Sequence, residues 1–261
     1  MRASDAAIRQ AGLPDLERAT PVLRLTRVSK SFGHVQALQE VDFELSLGEV
    51  MAIVGDNGAG KSTLIKIISG AYQPDSGTIE LDGKRIRIAT PRMARDLGIA
   101  TVYQDLALVD QRSVAANLFL GREPHRSFFV DKARMLREAE RVLSDLHIRI
   151  PSVHAPVGVL SGGQRQAVAI GRAMAQGGRV VILDEPTAAL GLEQSHVVVE
   201  LIHRLKASGH SVIVISHNLQ HVFSVADRIT VLRGGRRVAV RTKLEVTGED
   251  IIKLILGAEL L

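Results

Sequence analysis

Gly55-Asp56-Asn57-Gly58-Ala59-Gly60-Lys61-Ser62 lies between a short apolar run, Val50-Met51-Ala52-Ile53-Val54, and a helical pattern, Thr63-Leu64-Ile65-Lys66-Ile67-Ile68, that Gly70 closes. An unbroken apolar run of this length suits a strand covered on both faces, so the glycines sit at a strand-to-helix turn. Glycine opens backbone dihedrals closed to other residues and lets several N–H groups approach one anion, whose charge the positive end of the helix dipole also favours. In the pattern G-x-x-x-x-G-K-[ST], Lys61 reaches the β- and γ-phosphates of a nucleotide and the Ser62 hydroxyl can ligate Mg²⁺. A flexible turn that merely happens to hold Gly, Lys and Ser in this order is met in on the order of one chain in a hundred of this length. The flanking strand and helix make that plain reading rarer still.

Outward from this loop, Val22 to Ser46 shows period-two alternation, as in Val41-Asp42-Phe43-Glu44-Leu45, the mark of half-exposed antiparallel strands. After the first helix, Pro74-Asp75-Ser76-Gly77 predicts a turn and Thr78 to Leu81 a strand, with Asp82-Gly83 as a hairpin signal leading to Ile86-Arg87-Ile88. Phe32, in Ser29-Lys30-Ser31-Phe32-Gly33, reads from position as a core ring or as one exposed to stack on a base.

Three further apolar runs end in polar residues. Gly98 to Gln104 delivers Gln104, Arg179 to Glu185 delivers Asp184 and Glu185, and Ser211 to Ile215 delivers Ser216 and His217. In open parallel sheets ligands bind beyond the carboxyl ends of the strands, so all of these face one ligand edge. There Asp184 can hold Mg²⁺ opposite Ser62, Glu185 can polarise a water attacking the γ-phosphate, and His217 can hydrogen-bond a γ-phosphate oxygen. Between them the character turns helical. Ser113 to Leu120 and Asp131 to Leu146, the latter with Met135, Ala139, Val142, Leu143 and Leu146, read as amphipathic helices of an insertion lasting to about Val159. Leu160-Ser161-Gly162-Gly163-Gln164 then opens a helix through Ala167, Ile170 and Met174, a second possible anion site. Later come a helix carrying Val198, Leu201, Ile202 and Leu205, a hairpin from Ile229 to Val240, and a final helix capped at Thr247-Gly248-Glu249-Asp250.

The 261 residues are 46% hydrophobic and 23% charged, which excludes a disordered chain and fits a globular one. No apolar stretch approaches the roughly 18 to 20 residues that cross a bilayer. Zero cysteines exclude disulfides, thiolate metal sites and a cysteine nucleophile. The net charge of +5 is spread along the chain except at Arg233-Gly234-Gly235-Arg236-Arg237, which reads as a basic hairpin turn. His217 and His221 are spaced to share a helix face, although two ligands do not make a metal site. Residues 1–21 lack the long apolar core of a secretory signal and are expected to be a loosely held tail, as are 258–261, with one domain over 22–257 and a helical subdomain at about 105–160.

The phosphate loop, Gln104, Leu160-Ser161-Gly162-Gly163-Gln164, Asp184-Glu185 and His217, in this order, resemble the ATPase subunit of ABC transporters over about Val22 to Gly257. The resemblance implies an α/β fold: a P-loop core with a mainly parallel sheet, an antiparallel β layer before it and an α-helical subdomain. It implies that ATP is held by Phe32 stacked on adenine and by Gly55, Asp56, Asn57, Gly58, Ala59, Gly60, Lys61, Ser62 and Thr63. Mg²⁺ is then expected on Ser62, Gln104 and Asp184, with Glu185, His217, Gln104 and Lys61 serving catalysis. Ser161, Gly162, Gly163 and Gln164 would meet the ATP of a second chain, a copy or a paralogue, in a head-to-tail dimer.

Expected partners are transmembrane permease subunits docked on the helical insertion and, indirectly, a periplasmic sugar-binding protein, which puts the chain on the cytoplasmic face of a bacterial inner membrane. No nucleic acid is expected. The stretches Gly70 to Gly77, Gly98 to Leu108 and Phe119-Leu120-Gly121-Arg122-Glu123 are similar to importers of simple sugars, many of which are fused tandem repeats, whereas this chain is one unit. Gly191 stands where the family usually has an aspartate that links the two sites of the dimer.

Overall fold

The computed structural model describes residues 21–257 apart from Ala189. The tails expected at 1–21, Pro21 excepted, and at 258–261 lie outside the described residues. Two antiparallel strands, β1 (Leu23–Phe32) and β2 (Val35–Leu45), lead into the buried β3 (Val50–Val54), the glycine loop and α1 (Lys61–Ile68). The alternation in β2 is real: Val41, Phe43 and Leu45 are buried while Asp42 and Glu44 stay half-exposed. β4 (Ser76–Leu81) and β5 (Lys84–Ile86) complete a four-stranded sheet of order β2-β1-β4-β5, with Asp82-Gly83 at the hairpin tip.

Next come α2 (Pro91–Asp96), β6 (Ile99–Val102), α3 (Val114–Leu118), α4 (Lys132–Asp145) and α5 (Gly162–Ala175). Helix α2 has too few apolar residues for a stripe, and only Ala94 is buried. Its one signal in the sequence is local: Thr90 accepts the Met93 N–H and Pro91 occupies the first helical position. Between α3 and α4 the insertion is not purely helical, because His125–Arg126 and Phe129–Val130 pair as a short hairpin turned by Ser127 at φ +58. Val114, Leu118, Ala139, Leu143, Leu160 and Val168 form the common core of α3, α4 and α5.

β9 (Val180–Asp184), α6 (Leu192–Ala207), β10 (Ser211–Ile215) and α7 (Leu219–Val225) follow, then β11 (Arg228–Arg233), β12 (Arg236–Thr242) and α8 (Gly248–Leu256) with its Thr247–Asp250 capping box; in this numbering the 125–130 hairpin takes β7 and β8. The main sheet has six strands in the order β12-β11-β3-β10-β9-β6, parallel throughout except for β12. Its central strands β3, β9 and β10 are apolar without alternation because both faces are covered. Ile182, Ile213 and Ile53 point into the core shared with α1 and the antiparallel layer, whereas Val181, Leu183, Val212 and Val214 pack on the opposite side against α5 and α6. No helix among the described residues is long and apolar enough to cross a membrane.

Candidate nucleotide site

Strands β3, β10, β9 and β6 are parallel neighbours, so their carboxyl ends lie side by side. Ile53 pairs with Ile215, Ile215 with Asp184, and Val102 with Leu183. The residues that follow these strands are the glycine loop, Ser216-His217, Glu185 and Gln104, and the sheet register alone therefore brings them to one edge.

The loop itself is built by close approach. Gly60 has φ +101, and a Cβ there would sit 2.7 Å from Ala37 O and 2.8 Å from Leu38 Cδ2. Gly55, at φ +153, has Leu232 O where a Cβ would stand, at 2.2 Å. Any side chain at either position would strain the backbone and push the loop off β2 and β11. The Lys61 ammonium bridges the carbonyls of Gly55 and Asp56 at 2.8 and 2.9 Å, so its charge stands over the loop. Ser62 is exposed, and its hydroxyl makes no hydrogen bond among the described residues.

Asp184 is half-buried, and burial, together with the neighbouring Glu185, pushes its carboxyl above the usual aspartate range, while Lys61 and Lys66 pull it back. A raised folded-state value means that ionised Asp184 works against the folded chain: its stabilising share is full below the ordinary aspartate pKa and is lost as pH rises through the folded value. Asp184→Asn is therefore expected to raise the melting temperature of the nucleotide-free protein at neutral pH. A lower melting temperature would show that the carboxylate is satisfied as it stands. A cation beside this carboxylate would offset the cost of its burial, and the hydroxyl and carboxylate oxygens of Ser62 and Asp184 are ligands that suit a hard one. Among the described residues no three His, Cys, Asp or Glu side chains gather as a metal cage.

Glu185 is the most constrained residue of the edge. It has φ +50, a left-handed conformation that costs a non-glycine residue about 1 kcal/mol or more, and is pinned there by Glu185 N–H to Ile215 O at 2.9 Å and Ala188 N–H to Glu185 O at 3.0 Å. Its carboxylate is only 17% exposed and lies 2.9 Å from His217 Nδ1, whose ring is 75% exposed. An enclosed carboxylate beside an exposed imidazole at a strand end has the geometry that general acid–base chemistry uses. His217 and His221 do not share a helix face: His217 precedes the cap residue Asn218, while His221 lies inside α7 and its Nδ1 is 2.8 Å from Thr187 Oγ1. The spacing suits a helix, but α7 begins at Leu219, two residues past His217.

Phe32 is 43% exposed and therefore not a core residue; its ring stands edge-on to Tyr72 at 5.1 Å between centroids, with Lys30 Nζ 5.5 Å from it. Tyr72 was not singled out in the sequence, and its only signal is the scarcity of aromatics, two Tyr and six Phe. Gln104 is exposed, and the residues after it are tied to α5: Arg172 donates to the carbonyls of Leu106 and Ala107 at 2.6 and 2.9 Å, and Arg165 pairs with Asp110 at 2.6 Å. Desolvation, and secondarily Arg95, lowers the Arg172 pKa.

Ser161 and Gln164 close a capping box at the start of α5, and Gly163 is buried with its missing Cβ 3.2 Å from Gln194 Cβ. Helix α5 makes its main contacts with α3, α4, α6 and β6. The same chain thus presents a phosphate cradle and, elsewhere, a second glycine-led helix start. Gly191 caps α6 with no side chain to bond, and a Cβ there meets nothing within 4 Å. Gly191→Asp is expected to stabilise the fold by about 0.5 kcal/mol through a restored N-cap, read as a higher urea midpoint; an unchanged midpoint would count against that capping role.

A cradle at the edge of a parallel sheet, with carboxylates and an imidazole on the neighbouring strand ends, defines a nucleotide-binding cassette. Residues 38–188 match the family described as ABC transporter. The chain is 47% identical to the fructose import ATP-binding protein FrcA of Rhizobium meliloti over 92% of this chain and 95% of that one. It is 45% identical to the xylose/arabinose import ATP-binding protein XylG of Sulfolobus acidocaldarius, over 90% and 93%. Among solved structures, the ADP conformation of MJ1267, an ATP-binding cassette of an ABC transporter, superposes with a TM-score of 0.79 at 28% identity, covering 91% of this chain and 96% of that one. A dimeric post-hydrolysis state of the cassette MJ0796, bound to ADP and Pi, gives 0.69 at 25% identity over 85% and 98%. The chain belongs to the ABC transporter family, as one of its ATP-binding subunits.

Proposed function

We propose that the chain is the ATP-hydrolysing subunit of an importer of simple sugars, working as a head-to-tail pair of cassettes that drives a transmembrane permease. The observation that carries this reading is the convergence of the glycine loop, Asp184-Glu185, His217 and Gln104 on one sheet edge, with the sugar-import relatives naming the solute class. The α- and β-phosphates lie against the loop N–H groups and Lys61 holds the terminal phosphates, while Phe32 faces the adenine. Ser62 and Asp184, with Gln104, would hold Mg²⁺, which when bound neutralises charge on the β- and γ-phosphates.

Glu185 orients the attacking water and accepts its proton. His217, freed from Glu185, bonds the γ-phosphate. Ser161 and Gly163 open a helix whose main contacts are with α3, α4, α6 and β6, and this helix start closes on the nucleotide of a partner chain. ATP that binds the closed pair more tightly than the open one shifts the population towards closure, and hydrolysis releases it. The Arg172 contacts to Leu106 and Ala107 tie the segment after Gln104 to α5, so closure at the phosphate edge moves the helical insertion against the permease. On this reading the chain works at the cytoplasmic face of the membrane.

The test is ATP turnover by the chain reconstituted with its permease and binding protein: a simple sugar should stimulate it severalfold. Stimulation by a nucleoside instead would move the solute class, and turnover stimulated by DNA or RNA with steep salt dependence would overturn the transport reading. The arginines of the basic hairpin make bonds within the chain: Arg236 to Gln39 at 2.9 Å, Arg237 to Asp42 at 3.6 Å and Arg233 to the Leu254 carbonyl at 3.3 Å.

A further inference from the structure

The turn Gly234-Gly235 between β11 and β12 does more than reverse the chain. Gly235 N–H donates to Ala59 O, a carbonyl of the glycine loop, at 3.2 Å, and Gly235 O accepts the Gln39 N–H of β2 at 2.7 Å. The Gln39 side chain holds the same turn, with Nε2 on Gly234 O at 3.3 Å and Oε1 on Arg236 Nε at 2.9 Å. A single glycine residue thus joins the phosphate loop to the antiparallel layer, a span of chain from position 39 to 235 that no local signal connects.

The peptide unit gives this bond its consequence. Ala59 O and Gly60 N–H belong to one planar trans peptide and point in opposite directions, so anchoring the oxygen sets the direction of the N–H. Gly60 N–H has no acceptor among the described residues and is one of the donors a phosphate meets. We propose that Gly235 is a positioning residue for nucleotide binding, acting through the Ala59–Gly60 peptide to aim the Gly60 N–H at the phosphates. The inference rests on the loop being the ATP site.

Two adjacent glycines supply their own control. Both have positive φ, +55 at Gly234 and +75 at Gly235, so alanine strains the backbone at either. Only at Gly235 is there no room: a Cβ would stand 2.8 Å from Ala37 O, whereas at Gly234 it meets nothing within 4 Å. Gly235→Ala must therefore shift the turn and with it the anchored peptide.

The experiment compares Mg-ATP binding by titration calorimetry, and KM against kcat, for wild type, Gly234→Ala and Gly235→Ala, with circular dichroism as the folding check. Gly235→Ala is expected to weaken binding and raise KM about tenfold with kcat changed less than about twofold, and Gly234→Ala to bind within about twofold of wild type. Equal affinities for the two variants, or a kcat loss without a KM change, would overturn the proposal. If Gly235→Ala does not fold, Gln39→Ala decides: about threefold weaker binding supports it, and wild-type binding overturns it. Failure of the wild type to bind ATP is a separate result, which removes the ATP site itself.

Discussion

Replacing Glu185 by Gln is expected to lower ATP turnover by about a thousandfold while leaving ATP binding intact. The carboxylate is enclosed, held in a strained left-handed conformation and faced by His217, so the amide fits the same space without the capacity to take a proton from water. With hydrolysis blocked, ATP should accumulate the closed pair, visible by gel filtration as a dimer that persists with Mg-ATP and dissociates with ADP. Turnover near the wild-type rate would remove Glu185 as the base. A variant with lost turnover and no dimer would instead separate hydrolysis from closure, which is where Gly191 bears on the outcome.

Lys61→Met should produce the second large effect, more than about a hundredfold loss of ATP affinity, because charge-assisted bonds to phosphate oxygens are worth about 1.5 to 3 kcal/mol each. The fold should barely notice. Its two bonds go to partly exposed loop carbonyls, and losing about 1 kcal/mol in a domain of this size moves the melting temperature by about 2 to 4 °C. Calorimetric titration set beside a thermal melt distinguishes the two. Unchanged affinity would take the phosphates away from this loop, and a collapsed melting transition would make Lys61 a structural residue.

Much of the architecture is legible because its causes are local. The unbroken apolar runs of β3, β9 and β10 announce strands buried on both faces, and the alternation in β2 announces one half-covered. The capping box at Thr247 and the glycines of the phosphate loop are written in short patterns with a physical meaning. Where the cause is weak or distant, the pattern fails. Helix α2 buries only Ala94 and so carries no stripe, the 125–130 hairpin is too short for a period, and α7 begins after His217 because Asn218 takes the cap.

By itself the sequence determined the chemistry available: a lysine and a serine behind glycines, an Asp-Glu pair after one apolar run, a histidine after another, and a second glycine turn opening a helix. The tertiary structure decided which of these meet. Strand order puts β10 between β3 and β9, although it follows both in the chain, and that hydrogen-bonded register is what sets His217 2.9 Å from Glu185. Long-range packing likewise exposed Phe32 beside Tyr72 and laid Gly235 on the phosphate loop, contacts between segments whose residues carry no trace of each other. Local patterning is a property of neighbours along the chain, whereas a site is assembled by burial of two sheet faces at once, which only the folded whole can satisfy.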